Sequence, residues 1–254
     1  MTSIHADLPP TSDLRPLPYR LQALLRKPGG AVVRRRWDVR VHDEHHVPAR
    51  GRVLLACNHT GWLDGPLMVG VAPRTIHALV KHEMFVGRTG LLLRSIGQIP
   101  VDRSSIDVRA IRLSIRALRD ERVVAVWPEG TRGDGELRRM KRGLAYLAMV
   151  TGAPIVPVAV LGTRAAGESV SAVPGAGTRL DITYGAPISV DAEPWPRTRE
   201  SVEALTRSVQ GALVDNLKRA VTLSGQSLPG PAPDEEAKES DMIGPSTQDP
   251  QEDR

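Results

Sequence analysis

The stretch NHTGWLD, residues 58–64, sets one histidine and one aspartate five residues apart directly after an apolar run, VLLAC. A carboxylate beside an imidazole fixes its tautomer and raises its basicity, leaving the second ring nitrogen free to take a proton. His59 and Asp64 are thus candidates for an acid–base pair. The same spacing also suits a plain turn in which Asn58 and Asp64 cap the following helix, GPLMVGV. Gly61 would give that turn an unusual backbone.

Two further polar groups follow apolar runs. GQIPVDR, residues 97–103, ends in Asp102 and Arg103. WPEGTR, residues 127–132, follows RVVAV and brings Glu129, Gly130, Thr131 and Arg132 together. A glycine that frees backbone N–H groups, a hydroxyl and a forked guanidinium suit a cluster of phosphate oxygens. A surface turn with a Glu129–Arg132 ion pair is the competing reading. Arg138, Arg139, Lys141 and Arg142 follow closely.

The elements that must position these residues alternate. WDVRVH (37–42) has the pattern of an edge strand, and VLLAC (53–57), TIHALV (75–80), RVVAVW (122–127), residues 155–160 and RLDITYG (179–185) read as strands. Between them, residues 105–119 predict a helix with Val108, Ile111, Ile115 and Leu118 inward and an arginine stripe, Arg109, Arg112, Arg116 and Arg119, on a solvated or lipid-facing side. Helices are also expected at 141–151 and 199–221, the latter burying Val202, Leu205, Val209, Leu213 and Leu217. The alternation predicts an α/β fold: a mixed, largely parallel sheet flanked by helices on both faces. Open sheets of this kind place ligands at the carboxyl ends of strands, where all three polar groups fall.

The 254 residues carry a net charge of +5. Residues 225–254 hold eight acids and two bases, so residues 1–224 carry +11. That favours an anionic partner, whereas eight aromatic residues in total and no nucleic-acid motif argue against nucleic acid. A single cysteine, Cys57, excludes an intrachain disulfide and reads as a small buried strand residue. His42, His45 and His46 lack zinc spacing and read as a surface loop, so no metal site is expected. The N-terminus lacks the pattern of a signal peptide. The uncharged run 144–162 is interrupted by Thr151-Gly152-Ala153-Pro154 and by Pro157, which favours helix, turn and strand over a membrane span.

Three segments follow. Residues 1–36 form a loose arm (1–16) and a basic amphipathic helix, with Leu21, Leu24 and Leu25 on one face and Pro28-Gly29-Gly30 as its stop. Residues 37–223 form the main domain. Residues 224–254 form a disordered acidic tail.

With its motifs taken in order, the chain resembles the glycerophospholipid acyltransferases of the 1-acylglycerol-3-phosphate acyltransferase type. NHTGWLD matches the family's Asn-His-x4-Asp, GQIPVDR its Gly-x-Ile-x-x-x-Arg block, WPEGTR its Pro-Glu-Gly-Thr-Arg, and IVPVAV its late Val/Ile-Pro-Val/Ile strand. Lys81 falls where the family often has a lysine, and Lys141-Arg142-Gly143 matches its Lys-x-Gly. Trp127 and Pro100 stand where many relatives have Phe.

The resemblance implies acyl transfer from an acyl thioester to the free hydroxyl of 1-acylglycerol 3-phosphate, giving phosphatidate, with another lysophospholipid or polar-lipid acceptor as the alternative. It implies His59 and Asp64 as catalytic residues. Lys81, Arg103, Glu129, Gly130, Thr131 and Arg132 would form the acceptor's phosphate site. Acyl-CoA or acyl carrier protein would be co-substrate and no cofactor is expected. Such substrates imply a peripheral protein at the cytoplasmic face of the cell membrane, docked on an anionic surface through residues 17–36 and without a transmembrane helix.

Overall fold

A computed structural model describes residues 9–233. Its centre is a seven-stranded sheet formed by β1 (Asp38–His42), β2 (Val53–Cys57), β3 (Ile76–Lys81), β4 (Ile99–Val101), β5 (Val123–Val126), β6 (Ile155–Leu161) and β7 (Arg179–Tyr184), in the order β1-β7-β6-β2-β5-β3-β4. The strands from β6 to β4 are mutually parallel. β7 runs antiparallel to β6, and β1 parallel to β7, so the last two strands are reversed. β1 is the edge strand its alternating pattern predicts.

β2 shows why both faces must be covered. All five of its residues are buried. Val53, Leu55 and Cys57 join one apolar cluster with Leu67, Met68 and Val71 of α2 (Asp64–Val71). Leu54 and Ala56 join the opposite cluster, with side chains from α4 (Val108–Arg119), α5 (Gly143–Thr151) and α6 (Arg199–Ser224). Period-two alternation sends successive side chains to opposite faces, so a run without polar residues requires helices on both. The 144–162 run is α5, a left-handed Gly152 and β6. Pro157 pairs with Ala56 of β2 and its carbonyl accepts from Gly185 N–H (2.8 Å) just past β7, so the strand forgoes only the one donor that proline lacks.

Five expectations are corrected. The first helix does not stop at Pro28: α1 spans Arg20–Arg36 with Pro28 inside. Of the two glycines there, Gly30 serves packing. A Cβ on Gly30 would lie 2.8 Å from the Gly70 carbonyl oxygen of α2, so the pair lets two helices cross closely. The packing of α1 on α2 outweighs the one backbone hydrogen bond that Pro28 cannot donate.

In the arginine stripe of α4, Arg109 is exposed as expected, but Arg112, Arg116 and Arg119 do not form a free solvated or lipid-facing surface. Arg112 donates to Pro10 O (2.8 Å) and pairs with Asp13, Arg116 reaches Thr11 O and Leu14 O, and Arg119 donates to Thr11 Oγ1 (2.6 Å). The described part of the N-terminal arm is therefore clamped rather than loose. Val108 is 61% exposed rather than inward, because α4 starts there, capped by Asp107; Ile115 and Leu118 point inward and Ile111 is partly buried, as expected, and Ala110 and Leu113 join them.

The chain after Leu223 does not leave the body at once. α6 runs to Ser224, and Leu228 and Ala232 pack against the domain. The rest of the acidic tail, 234–254, and residues 1–8 of the arm lie outside the described residues.

α3 (Gly87–Ser95) links β3 to β4. Among the described residues, no helix is long and apolar enough to cross a membrane.

Candidate active site

β2 ends at Cys57, and the next residue anchors the turn. Asn58 is buried and its amide bridges to β6, accepting from Val160 N (2.7 Å) and donating to Val160 O (3.0 Å). The turn then closes on Asp64. Its Oδ2 accepts the backbone N–H groups of Thr60 (2.8 Å) and Gly61 (3.0 Å) and lies 2.8 Å from His59 Nδ1. Asp64 Oδ1 accepts from the Thr163 hydroxyl. A carboxylate already accepting three N–H or O–H donors makes Nδ1–H of His59 a donor too, so Nε2 carries the free lone pair.

The capping alternative does not describe this carboxylate, which receives the turn before α2 and not the first amides of that helix. Nor does Gly61 supply a left-handed backbone. A Cβ there would sit 2.9 Å from Thr163 O, so glycine is needed for close approach.

The His59 side chain is 18% exposed and that of Asp64 is sealed. The Trp127 ring lies 5.5 Å from the His59 ring, centroid to centroid. The imidazole therefore reaches solvent while its partner stays in the dry interior.

The loop after β5 wraps around the same histidine. Glu129 Oε1 accepts His59 N–H (2.8 Å), and Gly133 N–H donates to His59 O (3.0 Å). The turn between Glu129 and Arg132 uses Gly130 at φ +76°, and a Cβ there would meet Lys141 Cε at 2.6 Å. Arg103, just past β4, donates to Gly130 O (2.7 Å), and Lys141 Nζ lies 3.3 Å from Arg103 O.

Arg132 is half-buried. Burial depresses its guanidinium pKa below the usual value; the Asp64 charge opposes this, and Arg103 adds to it. Arg132 is thus electrostatically coupled to both the His59 partner and the neighbouring cation. Lys81 ends β3 opposite Val101 of β4, two residues before Arg103. Thr131 is exposed on the loop.

So the structure brings His59, Asp64, Arg103, Glu129, Gly130 and Arg132 to one end of the sheet, with Lys81 at the end of the next strand. Glu129 is placed against the His59 peptide. Cys57 is fully buried, and burial followed by the nearby Asp64 charge pushes its thiol pKa up, far from a nucleophile. His42 binds Asp181 (Nε2–Oδ1 2.7 Å) and His46 binds Tyr184 O (3.0 Å) at the far sheet edge.

Two residues escaped the sequence reading, Thr163 and Arg164, just after β6. Thr163 holds Asp64, as above, and contacts Thr60 Oγ1 (3.1 Å). Arg164 is only 3% exposed and donates to Thr60 O (2.9 Å), Glu168 O (3.0 Å), Gly133 O (3.0 Å) and Gly230 O (2.6 Å). The signal was available: a Thr-Arg pair ends a buried strand at the same sheet edge as the other polar groups. It was masked because VLGT continues an apolar run.

Comparison with known proteins agrees with this arrangement. The family model described as Acyltransferase matches residues 38–161. The 1-acyl-sn-glycerol-3-phosphate acyltransferase of Bacillus subtilis is 34% identical over 135 residues, covering 52% of this chain and 67% of that protein. The human 1-acyl-sn-glycerol-3-phosphate acyltransferase beta is 33% identical over 123 residues, 46% of this chain and 44% of that protein. The crystal structure of the 1-acyl-sn-glycerophosphate (LPA) acyltransferase from Thermotoga maritima superposes with a TM-score of 0.52 at 25% identity, covering 71% of this chain and 72% of that one. The matched region contains the histidine turn, the Arg103 strand and the Glu129 loop, and the chain belongs to the 1-acyl-sn-glycerol-3-phosphate acyltransferase family.

Proposed function

We propose that the chain transfers an acyl group from an acyl thioester, carried by coenzyme A or acyl carrier protein, to the free hydroxyl of 1-acylglycerol 3-phosphate, yielding phosphatidate. The observation that carries this reading is the one-sided histidine. Nδ1 of His59 is committed to a fully satisfied Asp64, while the ring still reaches solvent beside a loop of cations.

The thioester is already activated, so direct attack by the alcohol suffices. His59 Nε2 takes the hydroxyl proton as the oxygen adds to the thioester carbonyl. Asp64 stabilises the imidazolium that forms. The C–S bond then breaks and the imidazolium returns the proton to the departing thiolate, so the histidine ends as it began. Arg103, Arg132 and Lys81 hold the acceptor's phosphate, each charge-assisted hydrogen bond being worth about 1.5–3 kcal/mol. Gly130 and Thr131 shape the loop. Glu129 accepts rather than donates, so its part is to hold the His59 peptide facing those cations.

The acceptor is a lipid, which requires docking on a bilayer. On α1, Leu24 (73%) and Val32 (68%) are exposed with Leu21 and Leu25 beside them. Basic residues flank them, although Arg26 and Arg34 also donate to Ala72 O and Val39 O. α1 rises along the domain toward the site end, where Gly177 N–H donates to Arg36 O (2.8 Å) and Trp37 Nε1 to Pro174 O (3.0 Å). Such a helix supports peripheral attachment to an anionic leaflet, here the cytoplasmic face of the cell membrane.

The test is the purified chain with radiolabelled acyl-CoA and a panel of lyso-acceptors, products separated by chromatography. Labelled phosphatidate formed only with 1-acylglycerol 3-phosphate supports the reading. Release of free fatty acid independent of acceptor refutes it.

A further inference from the structure

At the sheet end opposite His59 lies a cavity of about 210 Å³, lined by Ala23 and Arg26 of α1, Arg74 and Thr75 before β3, and Arg122 before β5. A single water needs only about 10–15 Å³, so a tetrahedral anion fits with part of its hydration shell.

Three guanidiniums converge here and no carboxylate lines the space. They are held in place by neutral groups. Arg26 donates to Ala72 O (3.0 Å), and Arg74 to Pro48 O and Glu121 O (both 2.9 Å). The Arg122 guanidinium stacks on the Tyr19 ring, 3.6 Å from its centroid. Backbone carbonyls and an aromatic face orient guanidiniums without neutralising them, so most of their N–H donors and much of their charge remain for a ligand. Burial depresses the Arg74 guanidinium pKa, and the Arg122 charge adds to that; the exposed Glu121 offsets only part. An incoming dianion relieves this crowding.

We propose that Arg26, Arg74, Arg122 and the Thr75 hydroxyl form a second anion site, separate from the acceptor site, that binds a phosphate monoester group. Three planar forks plus one hydroxyl match the several oxygens and double charge of a phosphate better than a single carboxylate. The group can come from free phosphate or from a phosphate-monoester lipid headgroup. Leu21, Leu24 and Leu25, exposed on the same helix as Ala23 and Arg26, would accompany the acyl chains of the latter.

Hydrogen–deuterium exchange on the full chain separates these cases. One arm adds inorganic phosphate; the other adds phosphatidylcholine vesicles with or without phosphatidate. Amides of 72–75 and 121–123 should gain protection in the phosphate arm, or only with phosphatidate vesicles if the ligand is the lipid headgroup. Arg122→Gln and Arg26→Gln, each checked for an unchanged melting temperature, should weaken the effective anion at least about tenfold, the loss expected for one charge-assisted contact. No protection in either arm, or equal protection in either variant, overturns the proposal. These peptides are distinct from 103 and 129–133, so the outcome is independent of the acyl-transfer reading.

Discussion

Glu129 Oε1 accepts the backbone N–H of His59 at 2.8 Å, joining two motifs 70 residues apart in the chain. Gly133 closes the other side by donating to His59 O. The cationic loop is therefore built onto the His59 peptide, so disturbing one displaces the other.

The first prediction concerns the base itself. His59→Ala should lower kcat by about 10²–10⁴, the usual contribution of a general base. The melting temperature should change little, because Asp64 Oδ2 keeps the Thr60 and Gly61 N–H donors. An alanine variant that still makes phosphatidate at the wild-type rate would sink the mechanism.

Thr163 supports the base at one remove. Thr163→Val leaves Asp64 Oδ1, sealed from water, without the hydroxyl it accepts from. The expected cost is about 1–3 kcal/mol of stability. A lower kcat with little change in KM, and a displaced acidic limb of the pH–rate profile, should accompany it. Thr163→Ser should restore all three. A variant that loses stability but keeps its pH profile would make Thr163 merely structural.

The cations predict a different kinetic split. Arg132→Gln and Arg103→Gln should each reduce kcat/KM for the phosphorylated acceptor roughly 10- to 100-fold, from the loss of about 1.5–3 kcal/mol of charge-assisted bonding. KM for the acyl donor should stay put. Arg103→Gln should also loosen the Gly130 turn that it grips, visible as faster amide exchange across 129–133. Equal effects on both substrates would remove the phosphate assignment.

Gly30→Ala tests the helix crossing. The added Cβ would fall 2.8 Å from Gly70 O, with backbone on both sides and no flexible group to yield. A loss of about 1–3 kcal/mol is expected from urea unfolding. Gly29→Ala, whose Cβ would meet nothing within 4 Å, is the control and should be neutral or better.

Period and composition settle by themselves what local physics controls. Apolar runs too uniform for a one-faced strand demand helices on both sides, and the order of the polar groups already marks one sheet end as the site. His59, Asp64, Arg103, Glu129 and Arg132 are legible for that reason. What no local pattern carries is partnership. Parallel and antiparallel strands share the same alternation, so the reversal of β1 and β7 is invisible in RLDITYG. An arginine stripe has one appearance whether water or a neighbouring arm receives it, and only the folded chain brings Thr11 and Asp13 to Arg112, Arg116 and Arg119. Pro28-Gly29-Gly30 reads as a stop until α2 lies against it. Thr163 and Arg164 count for little until β6 sets them beside β2, over 99 and 104 residues of sequence separation. Hydrogen-bond partners and close approaches are long-range quantities, decided by tertiary packing, whereas side-chain periodicity is set within a few residues.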